Sequence, residues 1–323
     1  MELALERIVL PLAVEWKIAR NTSVEKTNFI LRLRDGERET LGEVAPNIRY
    51  GETPEIIEAE FAEFKALAAK GYEAALNAKA WKHSLRFALE AAWLSWLAQS
   101  KGQRLYQYLG AKTRPAISTS ISVPIMAPAE VAAYLAPLGR FDAVKVKVTQ
   151  EGALELIRAV HRAAPTKKLR IDGNEGFTDL HEYLALEAAI KDLPVEFVEQ
   201  PFAAASKEMY RELHKHTRFC IMADESIEDQ DNIAELATMF GAVNIKLMKT
   251  GGLLRARDLL IKARAFGLKT MVGCMIETGL GISYALELSE WMDWADLDGN
   301  LLLKKDPFPL VREREGILES LVV

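Results

Sequence analysis

The chain has 323 residues, half of them hydrophobic and 27% charged, with a formal net charge of −5. That length exceeds one ordinary hydrophobic core, so a large domain with a smaller companion is expected. A mildly acidic balance gives no footing for nucleic acid, and no uncharged apolar run reaches the roughly 18 residues that a membrane span needs.

In chain order, the opening MELALERIVLPLAVEW carries glutamates before any basic residue. It makes a poor signal peptide, which points to a cytoplasmic protein. Residues 1 to about 50 read as strands, because TNFILRLRDGERETLGEVAP holds two apolar runs around a DG turn. Helical spacing begins at TPEIIEAEFAEFKALAAKGY, where Thr53 is the cap and Pro54 fits the first turn. HSLRFALEAAWLSWLAQSKGQRLYQYLG continues it, and Trp93 and Trp96 fit helix packing. Residues 1–113 thus form an α+β unit.

After Arg114 strands and helices alternate. Eight strand candidates follow in order: AISTSISV, AVKVKV, KLRID, VEFVE, FCIMA, AVNIKL, KTMVGCM and WADLD. Helical runs such as EGALELIRAVHRAA and GLLRARDLLIKARAFG separate them. Alternation implies parallel βαβ units, and eight strands favour a closed α/β barrel over residues 114–301. No GxGxxG follows the first strand, which weakens a dinucleotide fold. Cys220 and Cys274 lie in apolar runs and are expected as buried free thiols rather than a disulfide. His214 and His216 sit in a polar helical stretch without a third ligand nearby, so they read as surface residues.

Charges end these strands. Lys145 and Lys147 close AVKVKV, Asp172 closes KLRID, Glu199 closes VEFVE, Asp224 closes FCIMAD and Lys246 closes AVNIK. From Lys147 the steps are 25, 27, 25 and 22 residues. Barrel enzymes place their working residues at the C-terminal strand ends, so these groups share one mouth. Three carboxylates there repel one another unless a cation joins them, and hard oxygen donors suit Mg²⁺.

The motifs KVK, DGN, EQP, DES and NIKLMKTGG, in this order, resemble the enolase superfamily in its muconate-cycloisomerase-like branch, and the DxD of WADLDGN with VGCMIET resembles its dipeptide epimerases, exemplified by L-Ala-D/L-Glu epimerases. The resemblance covers essentially the whole chain. It implies a modified TIM barrel, (β/α)7β, behind an N-terminal α+β capping domain, with the tail 302–323 returning to the cap. It makes Asp172, Glu199 and Asp224 ligands of one Mg²⁺ per subunit, with Asn174 and Glu225 supporting them. It makes Lys147 and Lys246 the acid/base pair on opposite faces of the substrate, with Lys249 as the competitor of Lys246. Lys145 would contact the substrate carboxylate. A lysine beside a divalent cation and a second lysine is expected to have a lowered pKa.

Asp296 and Asp298 in WADLDGN are two apart and share a strand face. In this family such a DxD resembles the grip on a dipeptide's α-ammonium, although the pair could instead cap the DGN turn. Cys274 would line the pocket through its backbone, and Ser120 is a further contact. Arg20, Asn21 and Arg49, in the loops EWKIARNTS and APNIRYGET, are the candidates for side-chain preference. The implied activity is Mg²⁺-dependent epimerisation of a small dipeptide at its C-terminal residue by two-base proton transfer through an enediolate. The alternative is a cycloisomerase or an o-succinylbenzoate synthase-type lyase of the same fold. Nucleic acid and membrane are not expected partners, and homo-oligomerisation stays open.

Overall fold

The computed structural model describes residues 1–18, 21–227 and 232–322. The first unit is a three-stranded antiparallel sheet of β1 (Glu2–Ile18), β2 (Asn21–Asp35) and β3 (Arg38–Val44). The DG turn joins β2 to β3, with Gly36 at φ 61°, a left-handed value that favours glycine. The middle of β2, residues 28–31, is buried on both faces. Phe29, Leu31 and Leu33 meet the cap helices, while Ile30 faces the barrel side. The helix Pro54–Ala68 starts as expected, the Thr53 hydroxyl accepting from Ile56 N. The helix His83–Ser100 lies directly on β3. A Cβ on Gly42 would sit 2.2 Å from the Ala88 carbonyl oxygen, so this contact needs glycine.

The register of β1 against β2 slips between Pro11 and Trp16. Proline cannot donate to the ladder, and such an irregularity bends the hairpin. The bent tip reaches the barrel, where Ile125 N donates to the Lys17 carbonyl at 3.0 Å.

The second unit is an eight-stranded parallel sheet: β5 (Ser120–Val123), β6 (Ala143–Lys147), β7 (Lys168–Asp172), β8 (Val195–Glu199), β9 (Ile221–Ala223), β10 (Ala242–Lys246), β11 (Lys269–Gly273) and β12 (Trp294–Asp296), in that spatial order. A parallel bridge from Thr119 to Ala295 closes it into a barrel, and Leu297 N donates to Thr119 Oγ1 at 2.9 Å. The expected run AISTSISV is split. Its first half, β4 (Ala116–Ser118), pairs instead with the C-terminal hairpin of β13 (Val311–Arg314) and β14 (Ile317–Ser320). Before that hairpin, Leu303 bridges to Leu12, and Lys304 N donates to the Pro11 carbonyl.

Pleat parity divides the barrel's residues. Val144, Val146, Ile171, Val198, Val243, Ile245 and Val272 face outward into the helix layer. The inward set holds a small apolar plug of Phe197, Met222, Ala242 and Met271, packed against Cys220 and Trp294. The same parity turns Lys145, Lys147, Asp172, Glu199 and Lys246 inward. Both cysteines are free, but each is partly exposed rather than fully buried. Cys220 lies just before β9 and Cys274 just after β11, so they stand at opposite ends of the barrel. No helix among the described residues is long and apolar enough to cross a membrane.

Glu43 joins the two units. From β3 it accepts from Asn28 Nδ2 at 2.9 Å, from Thr278 N and Oγ1, and from Gly281 N at 2.9 Å. The last donors open the barrel helix Gly279–Leu286, where an anion meets unpaired N–H groups and the positive end of the helix dipole. Asn28 also donates to the Ile276 carbonyl at 3.0 Å. Replacing Glu43 by Ala leaves these buried donors without their acceptor. It is expected to destabilise the protein by about 3 kcal/mol, read as a lower midpoint in urea; an unchanged midpoint removes Glu43 as the docking anchor.

Candidate active site

Register sets the site. Lys147 pairs with Asp172 and Asp172 with Glu199 across β6, β7 and β8. Lys246 pairs with Gly273 and Gly273 with Asp296 across β10, β11 and β12. These residues form two registered rows at the C-terminal rim, since the register carries Glu199 on to Met222 and Ala242 rather than to Lys246, with Asp224 one residue past the end of β9. In the ring of eight, β6 and β10 are four strands apart, so Lys147 and Lys246 stand on opposite sides of the mouth. Asp172, Glu199 and Asp224 occupy the arc between them on one side. Asp296, Asp298, Cys274 and Ser120 occupy the other arc.

Lys145 spans the floor between the arcs. Its ammonium, only 1% exposed, lies 3.2 Å from Asp172, 2.8 Å from Glu199 and 2.6 Å from Asp296. Burial alone would lower its pKa, but these three carboxylates raise it well above the ordinary value. Lys147 Nζ is 2.8 Å from Asp172 Oδ2 and donates weakly to Asn174 Oδ1 at 3.5 Å. Lys246 Nζ is 2.8 Å from Asp224 Oδ2.

Burial lowers the pKa of Lys246, but Asp224 and then Glu199 outweigh burial and raise it. Lys249 is not placed as an alternative base. It is buried beneath Asp224, bonding its side chain and the carbonyls of Asp224 and Ile227.

Asp172 is pulled upward by burial, yet Lys145 and Lys147 hold it well below the usual carboxylate range. Glu199 goes the other way, up to about 8: burial, with Asp172 and Asp224 adding to it, outweighs Lys145. Asn244 Nδ2 orients Glu199 by donating to Oε1 at 2.9 Å. Asn174 N donates to Asp172 Oδ1 at 3.0 Å, and Glu225 is buried beside Asp224. Gln200 Oε1 accepts from Asp224 N and Ser226 N, fixing that loop.

On the second arc Asp296 is held by Lys145 and by the Ser120 hydroxyl, which donates at 2.9 Å. Asp298 accepts from Ser122 N at 2.7 Å. It does not cap its own turn with its side chain, which reaches across to β5 instead. Burial and the neighbouring Asp296 push Asp298 up to about 6. Cys274 joins this arc, its thiol donating to the Asp296 carbonyl at 3.3 Å.

The cap reaches over both lysines. The Trp16 ring centroid is 5.9 Å from Lys147 Nζ, from the β1–β2 tip. Tyr50 approaches the other side, where burial and the Asp224 charge push its phenol up. Arg49 pairs with Glu175 in the loop after β7, at 2.7 and 3.1 Å. Arg20 lies outside the described residues, and Asn21 opens β2. Sequence reasoning missed Trp16, Tyr50, Ser122 and Asn244. Parity with Lys246 marks Asn244 as inward; Trp16 and Tyr50 depend on how the cap docks. His214 and His216 are exposed on the helix Lys207–His216, as expected, with His216 beside Glu212.

The carboxylate trio fits a hard divalent ion by its chemistry. Three buried carboxylates from adjacent strands feel one another's charge, and Glu199 Oε2, although close to Lys145, makes no well-directed hydrogen bond. Here the lysines draw Asp172 and Asp224 aside, so among the described residues the three do not converge on one point.

Comparison with known proteins agrees with this geometry. A family model described as enolase C-terminal domain-like matches residues 127–295. An L-Ala-D/L-amino acid epimerase of Pedosphaera parvula is 32% identical over 322 residues, covering 96% of this chain and 93% of that protein. An enolase family member from Agrobacterium tumefaciens with homology to dipeptide epimerases, crystallised with sodium and L-Ala-L-Glu, superposes with a TM-score of 0.91 at 30% identity, covering 98% and 97% of the two chains. A dipeptide epimerase from Methylococcus capsulatus, complexed with Mg and L-Arg-D-Lys, gives 0.88 at 29%, covering 99% and 96%. The chain belongs to the enolase superfamily. Within it, it stands with the dipeptide-epimerase branch and is an isomerase acting on amino acid derivatives.

Gly273 gives its row a sharp test. A Cβ there would lie 2.6 Å from Asn244 Oδ1 and 3.1 Å from Lys246 Cε. Gly273→Ala is expected to lower kcat by about 100-fold through displacement of Lys246, with an unaltered circular dichroism spectrum. Full activity in this variant would mean that Lys246 needs no such room.

Proposed function

We propose that the protein epimerises dipeptides at the α-carbon of the C-terminal residue, by two-base 1,1-proton transfer through an enediolate. The observation that carries this is the placement of two lysines on β6 and β10, half a barrel apart, with a separate dicarboxylate pair between them on the second arc. A stereocentre held at the middle of the mouth is then open to a lysine on each face. One lysine in its neutral form takes the α-proton. The other, as ammonium, returns a proton to the opposite face. Asp224, 2.8 Å from Lys246, favours the ammonium form of that lysine.

The second arc selects the substrate. Asp296 is already satisfied by Lys145 and Ser120, whereas among the described residues the side chain of Asp298 accepts from Ser122 alone. An α-ammonium entering this arc gains a charge-assisted hydrogen bond to Asp298 in a buried setting. A lyase substrate without an ammonium would leave that carboxylate uncompensated. Asp172, Glu199 and Asp224 would hold Mg²⁺, which supplies stabilisation for charge developing on the substrate carboxylate. Residues 114–301 carry this chemistry, and residues 1–113 with the tail 302–323 cover it. The absence of a paired disulfide among the two thiols suits a cytoplasmic setting.

Incubation with dipeptides in D₂O tests the reading by deuterium gain at the C-terminal residue's α-carbon; no exchange with any dipeptide rejects it. Lys147→Ala and Lys246→Ala are each expected to lower epimerisation by about 1,000-fold or more. Each variant should still exchange the α-proton of one stereoisomer alone, and exchange of both isomers by either would defeat the two-base assignment. Asp298 is charged above its pKa of about 6 and neutral below it. The KM for a dipeptide is therefore expected to rise as pH falls through about 6, and Asp298→Asn should raise KM and flatten that rise.

A further inference from the structure

The cap loop Asn47–Glu52 is firmly tied at its base and held by fewer contacts at its tip. At the base Glu52 accepts from Asn47 N at 3.1 Å and from Ser84 N at 3.0 Å. Asn47 Oδ1 accepts from Arg49 N and starts the short turn Ile48–Tyr50. At the tip Ile48 is 81% exposed, so its side chain does not fasten the loop by apolar packing. The tip's strong contact is the two-pronged ion pair from Arg49 to Glu175, aided by Lys82 Nζ donating to the Tyr50 carbonyl at 3.4 Å and by a long contact of Asn47 Nδ2 with Met275 Sδ at 3.8 Å.

Glu175 is itself rigidly placed. Its N–H donates to the Gln200 carbonyl at 2.8 Å, and its Oε1 accepts from Ala204 N at 2.8 Å. It sits in the left-handed region at φ 63°, next to Asn174 at 43°. Such backbone persists only where its surroundings over-determine it. A fixed anion on the barrel thus faces a cation at the tip of the cap loop, and planar guanidinium meeting carboxylate on two prongs fixes orientation as well as distance.

We infer that the Arg49–Glu175 pair is a latch that sets the closed position of the cap loop over the barrel mouth, so that Arg49 is a positioning residue and not a receptor for an acidic substrate side chain. The residue next to the latch is Tyr50, which lies within electrostatic reach of Asp224 and Lys246. Closing the latch therefore keeps an aromatic side chain on the Asp224–Lys246 side of the mouth. Because Glu175 already occupies the guanidinium, an acidic second residue in the substrate gains no partner from Arg49.

This inference rests on the epimerase reading for its kinetic readout but not for its structural one. The variants are Arg49→Met, Glu175→Gln and the double variant. Glu175→Gln keeps an oxygen acceptor for Ala204 N and so preserves the barrel loop. Each single variant is expected to lower kcat/KM by about tenfold, alike for L-Ala-L-Leu and L-Ala-L-Glu. The double variant should be no worse than either single one, as for two residues acting through one contact. Losses that multiply in the double variant, or a loss in Arg49→Met confined to L-Ala-L-Glu, overturn the latch. Hydrogen exchange of residues 47–51 reads the latch without any substrate. Faster exchange in both single variants supports it, and unchanged exchange overturns it. If the unaltered protein turns over no dipeptide, the epimerase reading fails while the exchange result still decides the latch.

Discussion

A lysine ammonium sealed beneath the mouth of the barrel is the constraint on which the site depends. Lys145 is 1% exposed and contacts Asp172, Glu199 and Asp296 at once. An unpaired buried ammonium would lose its proton or unfold its surroundings, and so would unpaired carboxylates at this depth. Each charge is tolerable only because the others stand where they do. The contact also links the two arcs: the carboxylates suited to a metal and the carboxylates suited to an ammonium share one counter-charge. A change on one arc is therefore felt electrostatically on the other.

Around that floor the fold separates duties by strand. The lysines at opposite sides of the ring leave one arc for Asp172, Glu199 and Asp224 and the other for Asp296 and Asp298. Gly273, between Lys246 and Asp296 on the same rung, contributes by having no side chain. The loops leaving this rim are conformationally costly. Asn174, Glu175 and Gln200 all have positive φ, at 43°, 63° and 36°. Such residues cluster where a site must be rigid in advance of its ligand, because strain held by fixed hydrogen bonds is not released on binding. Gln200 shows the means: its side-chain oxygen holds the N–H groups of Asp224 and Ser226.

The cap is part of this construction and not an appendage. Its sheet brings Glu43 and Asn28 to the loop after β11, and the bent β1–β2 tip brings Trp16 to Lys147. The loop Asn47–Glu52 brings Tyr50 towards Lys246 and Arg49 to Glu175. Each side of the mouth thereby has an aromatic residue from a different part of the cap.

Much of this is legible in the chain itself. Period-two alternation in AVKVKV and AVNIK is enough to put valine outward and lysine inward, since successive side chains of a strand face opposite ways. The roughly 25-residue rhythm is enough for parallel strands, and charges ending those strands are enough for a common mouth. The DG hairpin and the Thr-Pro start of the helix at residue 54 are local signals that the fold keeps. Tertiary structure decided what depends on contacts distant in the chain. It divided AISTSISV between two sheets, because the C-terminal hairpin claims Ala116–Ser118. It turned the thiol of Cys274 to a carbonyl, buried Lys249 beneath Asp224, and set a carboxylate 22 residues away in the chain 2.8 Å from the Lys246 ammonium. It also chose Glu175 as the partner of Arg49, 126 residues on. Parity and spacing are properties of neighbouring residues and can be read directly; a charge's partner depends on which strand and which loop come to lie beside it.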